Sequence, residues 1–84
     1  MSVNAYVRKM LLRAEGIWHN IGMSLSEKRV EDNDGTISVY LTFPGATKSQ
    51  AELLVSGMSV AFRRARVHWQ ATDPITVVVQ ISNL

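Results

Sequence analysis

The sequence predicts an α+β two-layer sandwich: a four-stranded antiparallel sheet with two helices on one face, in the order α-β-β-α-β-β. Three observations predict it. Two segments carry apolar residues at three- and four-residue spacing, the period of a helix. The segments after each helix alternate apolar and polar residues, the period of a strand. Clusters of Gly, Pro, Asn and Asp stand between them, where a chain turns.

The first helix is expected from Val3 to about Ile21. Val3, Val7, Met10, Leu11, Ala14, Ile17, Trp18 and Ile21 form one apolar stripe. Ser2 or Asn4 is placed to cap it, and Gly22 suits its stop. Gly16 lies inside and weakens the helix by up to about 1 kcal/mol relative to Ala.

A hairpin is expected next. Met23 and Leu25 open a weak, highly charged first strand. Asp32-Asn33-Asp34-Gly35 is a turn signal, because these residues tolerate the positive φ of tight turns. From Thr36 to Phe43, Ile37, Val39, Leu41 and Phe43 face one way while Ser38, Tyr40 and Thr42 face the other. Pro44-Gly45 ends that strand.

The second helix has a capping box, Thr47 with Gln50, in which each side chain bonds the other residue's backbone N–H. Ala51, Leu54, Val55, Met58, Ala61, Phe62 and Ala65 mark its core stripe, which carries the expected helix to about Ala65. Two strands complete the chain. Val67, Trp69 and Ala71 alternate with Arg66, His68 and Gln70, then Asp73-Pro74 turns, then Ile75, Val77, Val79 and Ile81 alternate with Thr76, Val78, Gln80 and Ser82.

Moving the last strand to the front converts this order into β-α-β-β-α-β, the order of the ferredoxin-like fold. The chain therefore reads as a circular permutation of that architecture, with a sheet running first-second-fourth-third. The two most apolar strands then take the centre, and the charged first and third strands become edges, where charge discourages edge-to-edge pairing. The expected core contains Val7, Leu11, Trp18, Val39, Leu41, Leu54, Met58, Phe62, Trp69, Val77 and Val79.

At 84 residues the chain is one domain, residues 1–84, with enough length for one thin core. Apolar residues at 46% and charged residues at 19% exclude a disordered acidic tail. The apolar runs fall far below the roughly 20 residues that cross a bilayer, so no membrane partner is expected. No secretory signal is visible. There is no Cys, which excludes disulfides and thiolate–zinc sites and fits a cytoplasmic location. Size and composition suit a small accessory protein of the kind a phage or plasmid carries.

The net charge of +2 is less informative than its distribution. Arg8, Lys9 and Arg13 form one basic cluster, and Arg63, Arg64 and Arg66 form another. Glu27, Glu31, Asp32 and Asp34 form an acidic stretch that matches no EF-hand loop and reads as a solvated hairpin tip. Glu15 and His19 stand four residues apart, as a surface helix pair does; zinc needs three or four ligands, and no others are near. His68 alternates with core residues and should lie on the outer sheet face. No nucleophile elbow, phosphate loop or dinucleotide fingerprint occurs. No catalytic, cofactor-binding or metal-binding residue is assigned, and no enzyme activity is expected.

Two surfaces are candidates for a protein partner. One is the stripe Leu53, Gly57 and Val60 on the second helix, unless it packs on the first helix. The other is the outer sheet face around Tyr40, Val78 and Gln80, an aromatic centre ringed by hydroxyl groups. The helices are neighbours in the permuted arrangement, which favours the sheet face. Leu12 also faces away from the core, beside the basic Arg8 and Lys9. The sequence points first to a non-enzymatic protein-interaction module, homo-oligomeric or partner-binding. The alternative is a nucleic-acid-binding accessory protein using a basic patch at the end of the second helix, Arg63, Arg64 and Arg66. A small enzyme ranks third.

Overall fold

The computed structural model describes residues 3–33 and 35–82, with the backbone alone at positions 3 and 4. The elements are α1 (Val3–Ile21), β1 (Glu27–Asn33), β2 (Thr36–Phe43), α2 (Lys48–Ala61), β3 (Ala65–Gln70) and β4 (Ile75–Ser82). The expected order α-β-β-α-β-β is observed. The strands form one antiparallel sheet in the order β1-β2-β4-β3.

The register explains the core. Residues paired directly across neighbouring strands point to the same face, so they line up in rows across the sheet. On the inward side one row is Lys28, Leu41, Val77 and Trp69, and the next is Val30, Val39, Val79 and Val67. Leu41, Val39, Val77 and Val79 have no exposure at all. They join Val7, Met10, Leu11, Ala14 and Trp18 of α1 and Leu54 and Met58 of α2 in one cluster, so both helices cover the same sheet face. Each large apolar side chain buried this way contributes on the order of 1.5–3 kcal/mol. The expected core is observed with one change: Trp69, on an edge strand, is only partly buried.

The helices run antiparallel. The Gln50 side chain at the start of α2 donates to the Ile21 carbonyl at the end of α1, at 3.1 Å. Farther along α2, a Cβ built on Gly57 would lie 3.0 Å from the Ile17 Cγ2 atom. The α1 layer reaches the sheet through Trp18, whose ring meets Phe43 edge-on at 5.4 Å between centroids. Beyond β2 the inward face of β1 is poorly covered. Lys28 and Asp32 point to that side, and Val30 between them is 42% exposed.

Four boundaries differ from the sequence reading, each for a local reason. Met23 and Leu25 precede β1 instead of opening it. The Met23 N–H donates to the Trp18 carbonyl at 2.9 Å, which ties this stretch to the end of α1. Gly22 ends that helix with φ +84°. At its start Asn4 falls inside the helix, and Ser2 lies outside the described residues. The hairpin is tighter than expected: Asp32 and Asn33 are strand residues, and Asn33 pairs with Thr36. Gly35 takes φ +96°, as the turn requires, and Asp34 lies outside the described residues. The capping box of α2 is present, with Thr47 Oγ1 accepting from the Gln50 N–H at 3.2 Å and Gln50 Oε1 accepting from the Thr47 N–H at 2.9 Å. That helix stops at Ala61. Phe62 leaves the helical conformation at φ −123°, ψ 76°, and Ala65 belongs to β3. Ala71 falls beyond β3, where Thr72 Oγ1 donates to the Pro74 carbonyl at 2.8 Å across the turn into β4.

Candidate functional site

The antiparallel helix pair sets the site. If Gln50 meets Ile21 and Gly57 meets Ile17, the end of α2 lies beside residues 6 to 13 of α1. Tyr6, Lys9 and Arg13 recur at three- and four-residue spacing and so share one flank of α1. Across from them, Phe62 caps α2, with its N–H donating to the Met58 carbonyl at 2.8 Å. The Phe62 carbonyl then accepts from the Ala65 N–H at 3.0 Å, which closes a tight turn holding Arg63 and Arg64. Between flank and turn lies a cleft of about 560 Å³. Its polar walls are Lys9, Arg13, Arg63 and Arg64, and its apolar walls include Tyr6 and Val60.

Among the described residues, no carboxylate lines this cleft. The ion pairs among the described residues are elsewhere: Glu15 with His19 at 3.9 Å, and Arg29 with Glu31 at 3.2 Å. The four cations therefore line one cleft without a countercharge among the described residues. Negative helix-end carbonyls at the α2 terminus account in part for Arg63 and Arg64. They do not account for Lys9 and Arg13, which stand on α1, more than a turn from either of its ends. A concave site with one sign of charge concentrates counterions of the other sign.

Arg66 is separated from this group. It sits on β3 opposite Gln80, on the outer sheet face, and is exposed. The expected patch at the helix end is thus divided: Arg63 and Arg64 lie in the turn, and Arg66 points the other way. Lys9, Arg13 and Tyr6 complete the cleft and were not assigned to it from the sequence. Their signal is the i, i+3, i+7 spacing combined with antiparallel helix packing.

The outer sheet face differs from its expected character. Its central row is Arg29, Tyr40, Val78 and His68, flanked by rows containing Glu31, Ser38, Gln80 and Arg66. Val78 is 1% exposed and Ser38 4%. The Arg29 guanidinium lies 4.4 Å from the Tyr40 ring centre, a cation–π contact, while also pairing with Glu31. Val78 is thus covered by its own neighbours, while Tyr40, with Arg29 over its ring, is half-buried. Gln80 remains half-buried.

The α2 stripe is split. Gly57 packs toward Ile17 of α1, whereas Leu53 and Val60 stay 60% and 74% exposed. A second groove of about 440 Å³ runs between α1 and the segment leading into β1. Leu12, 66% exposed, lies on it, and its charges are mixed, with Arg8 and Lys28 alongside Glu15. Trp18 also lines it, and the buried indole N–H of that residue has no hydrogen-bond acceptor among the described residues. No group of three or more metal-ligating side chains occurs among the described residues, and no described helix is long and apolar enough to cross a membrane.

These features define a small α+β chain with a cationic cleft between its helices. No protein-family model matches the chain, and no curated protein matches it either.

Proposed function

We propose that this protein is a non-enzymatic module that binds nucleic acid through the cleft of Lys9, Arg13, Arg63 and Arg64. The supporting observation is the convergence of four cations, two from α1 and two from the turn after α2, on one concavity with no carboxylate among the described residues of its walls. Phosphate backbones are the polyanions such a site suits, because each contact releases a condensed counterion.

Fluorescence anisotropy with labelled DNA and RNA oligonucleotides over a salt series tests the reading. Four phosphate contacts give a slope of log K against log salt near −3.6, so affinity falls roughly 150-fold between 50 and 200 mM salt. Changing any one of the four residues to Ala should reduce the slope by about 1. Arg66→Ala, on the opposite face, should leave it unchanged. Absence of binding at low salt sinks the proposal, as does binding that depends on Arg66 and not on Arg63.

Contact with a protein, another copy or a different chain, is a second reading. The exposure of Leu53 and Val60 on one side of α2 favours it, whereas the covered Val78 leaves the outer sheet face less to offer. Sedimentation over a concentration range, with Leu53→Lys for comparison, decides self-association. A wild-type chain that stays monomeric at high concentration removes that form of the reading.

A further inference from the structure

We infer that the cleft receives a single-stranded segment, with a base against Tyr6 and the flanking phosphates on Lys9, Arg13, Arg63 and Arg64; this rests on the nucleic-acid reading above.

The shape comes first. Proteins read duplex DNA by inserting a helix or a ribbon into a groove about 12 Å wide. The cations here lie in a recess between a helix flank and a turn, not along a projecting element. An open recess of about 560 Å³ has the volume of a small-molecule site and admits a nucleotide, not a double helix.

The chemistry comes second. Tyr6 is 41% exposed and Val60 74% exposed, and both line the same cleft as the cations. A purely electrostatic contact with a duplex leaves such surfaces unused, because the paired bases are stacked on each other. An unpaired base brings a free π-face, and binding of single strands joins a cationic track to aromatic side chains on which bases stack. The cleft combines these two elements.

The spacing comes third. Tyr6, Lys9 and Arg13 span seven residues of one helix flank, about 10 Å at 1.5 Å per residue. That length is on the order of one or two steps along an extended single strand, whose bases are no longer held at the duplex repeat. The aromatic ring and two phosphate contacts can therefore be met by consecutive nucleotides of one strand, while Arg63 and Arg64 approach from the other wall.

The test compares a labelled twelve-nucleotide oligothymidylate with a duplex of the same length, for wild type, Tyr6→Ala, Tyr6→Phe and the double variant Arg63→Ala/Arg64→Ala. Circular dichroism checks that each variant keeps its fold, which exposed positions permit. The single strand should bind at least tenfold tighter than the duplex. Tyr6→Ala should weaken single-strand binding by roughly 5- to 150-fold, the range of one lost base stack, and leave the salt slope unchanged. Tyr6→Phe should retain affinity, since stacking needs the ring and not the hydroxyl. The double Arg variant should lower both affinity and slope. Equal affinity for duplex and single strand, or full binding by Tyr6→Ala, overturns the single-strand inference and leaves the nucleic-acid reading standing. Failure of wild type to bind either probe at low salt overturns both. Equal competition by polyglutamate overturns both as well, and points to an acidic protein partner.

Discussion

Gly16 and Gly57 are both interior helix glycines, and replacing each with Ala isolates what the helix contact contributes. At Gly16 a Cβ meets nothing within 4 Å, and the residue is exposed. Only helix propensity changes there, so Gly16→Ala should stabilise the protein by about 0.5–1 kcal/mol. At Gly57 the same change places a Cβ 3.0 Å from Ile17 Cγ2. Carbon atoms prefer about 3.5–4.0 Å, so the pair is crowded by at least half an ångström. Ile17 cannot swing that methyl aside cheaply, because a β-branched side chain in a helix has one strongly preferred rotamer. Overpacking of this kind typically costs about 1–3 kcal/mol, against a propensity gain of at most about 1. Gly57→Ala should therefore be neutral to about 2 kcal/mol destabilising. Urea unfolding followed by circular dichroism measures both variants on one scale. Ile17→Leu, which removes the Cγ2 methyl, should recover part of the loss in the Gly57→Ala background. Equal stabilisation by the two glycine replacements would refute the close α1–α2 approach and, with it, the helix register that forms the cleft.

Phe62→Ala should cost about 3–5 kcal/mol, because the side chain is 8% exposed within the core cluster and its removal leaves a cavity; a loss below about 1 kcal/mol in the same urea assay would show that its packing is misassigned. Thr47→Ala should cost about 1 kcal/mol through the lost N-cap acceptor. Gln50→Ala should cost at least as much, since it removes both the reciprocal cap bond and the bond to the Ile21 carbonyl; a smaller loss than for Thr47→Ala would count against the helix tie.

The elements that were legible in the sequence are those that local physics decides. The capping box of α2, the alternation of β2 and β4, and the positive φ of Gly35 all follow from neighbouring residues, and each is present. Strand order followed from placing apolar strands in the centre and charged ones at the edges. The end of α2 was misread because Ala65 continues the helical apolar period, while the Phe62–Ala65 turn bond takes the chain out of it three residues earlier. The first strand begins late because the Met23 N–H bonds the Trp18 carbonyl and holds this stretch at the end of α1, with Met23 in the core and Leu25 packed against it. The cleft was legible only in halves. Arg63 and Arg64 stood out as a run of charge, but Lys9 and Arg13 join them only through tertiary packing, some fifty residues away along the chain. Arg66 looked equivalent to its neighbours because sequence adjacency does not show that the strand pleat turns it to the opposite face. The contact on the outer sheet face was hidden for a related reason: Arg29 comes from the edge strand, and only the register places it on Tyr40.

The pairing of charges separates the two faces, and it yields a prediction about stability. On the outer face Arg29 has both a carboxylate and a ring as partners, so its charge is satisfied within the chain. In the cleft, four cations share one concavity and make no ion pair among the described residues. If these side chains contribute to the fold, removing one should destabilise it; if they serve an external anion, removing one relieves like-charge repulsion and leaves the fold intact. The structure favours the second outcome, because the groups are exposed and repulsion between exposed charges is weak but unfavourable. Lys9→Gln should change stability by no more than about 0.5 kcal/mol at low salt, in the stabilising direction, and Arg63→Gln by no more than about 0.5 kcal/mol in either direction, because relief of repulsion there is offset by the lost contact with the α2 helix-end carbonyls. Short-chain polyphosphate should raise the unfolding midpoint of the wild type, since a ligand of the native state stabilises it by about 2.7 kcal/mol at a hundred times its Kd. The Arg63→Gln/Arg64→Gln double variant should lose most of that response, and Arg66→Gln should keep it. A loss of more than about 1 kcal/mol in either single variant would make the cations structural. A polyphosphate effect unaltered in the double variant would move the anion site elsewhere on the molecule.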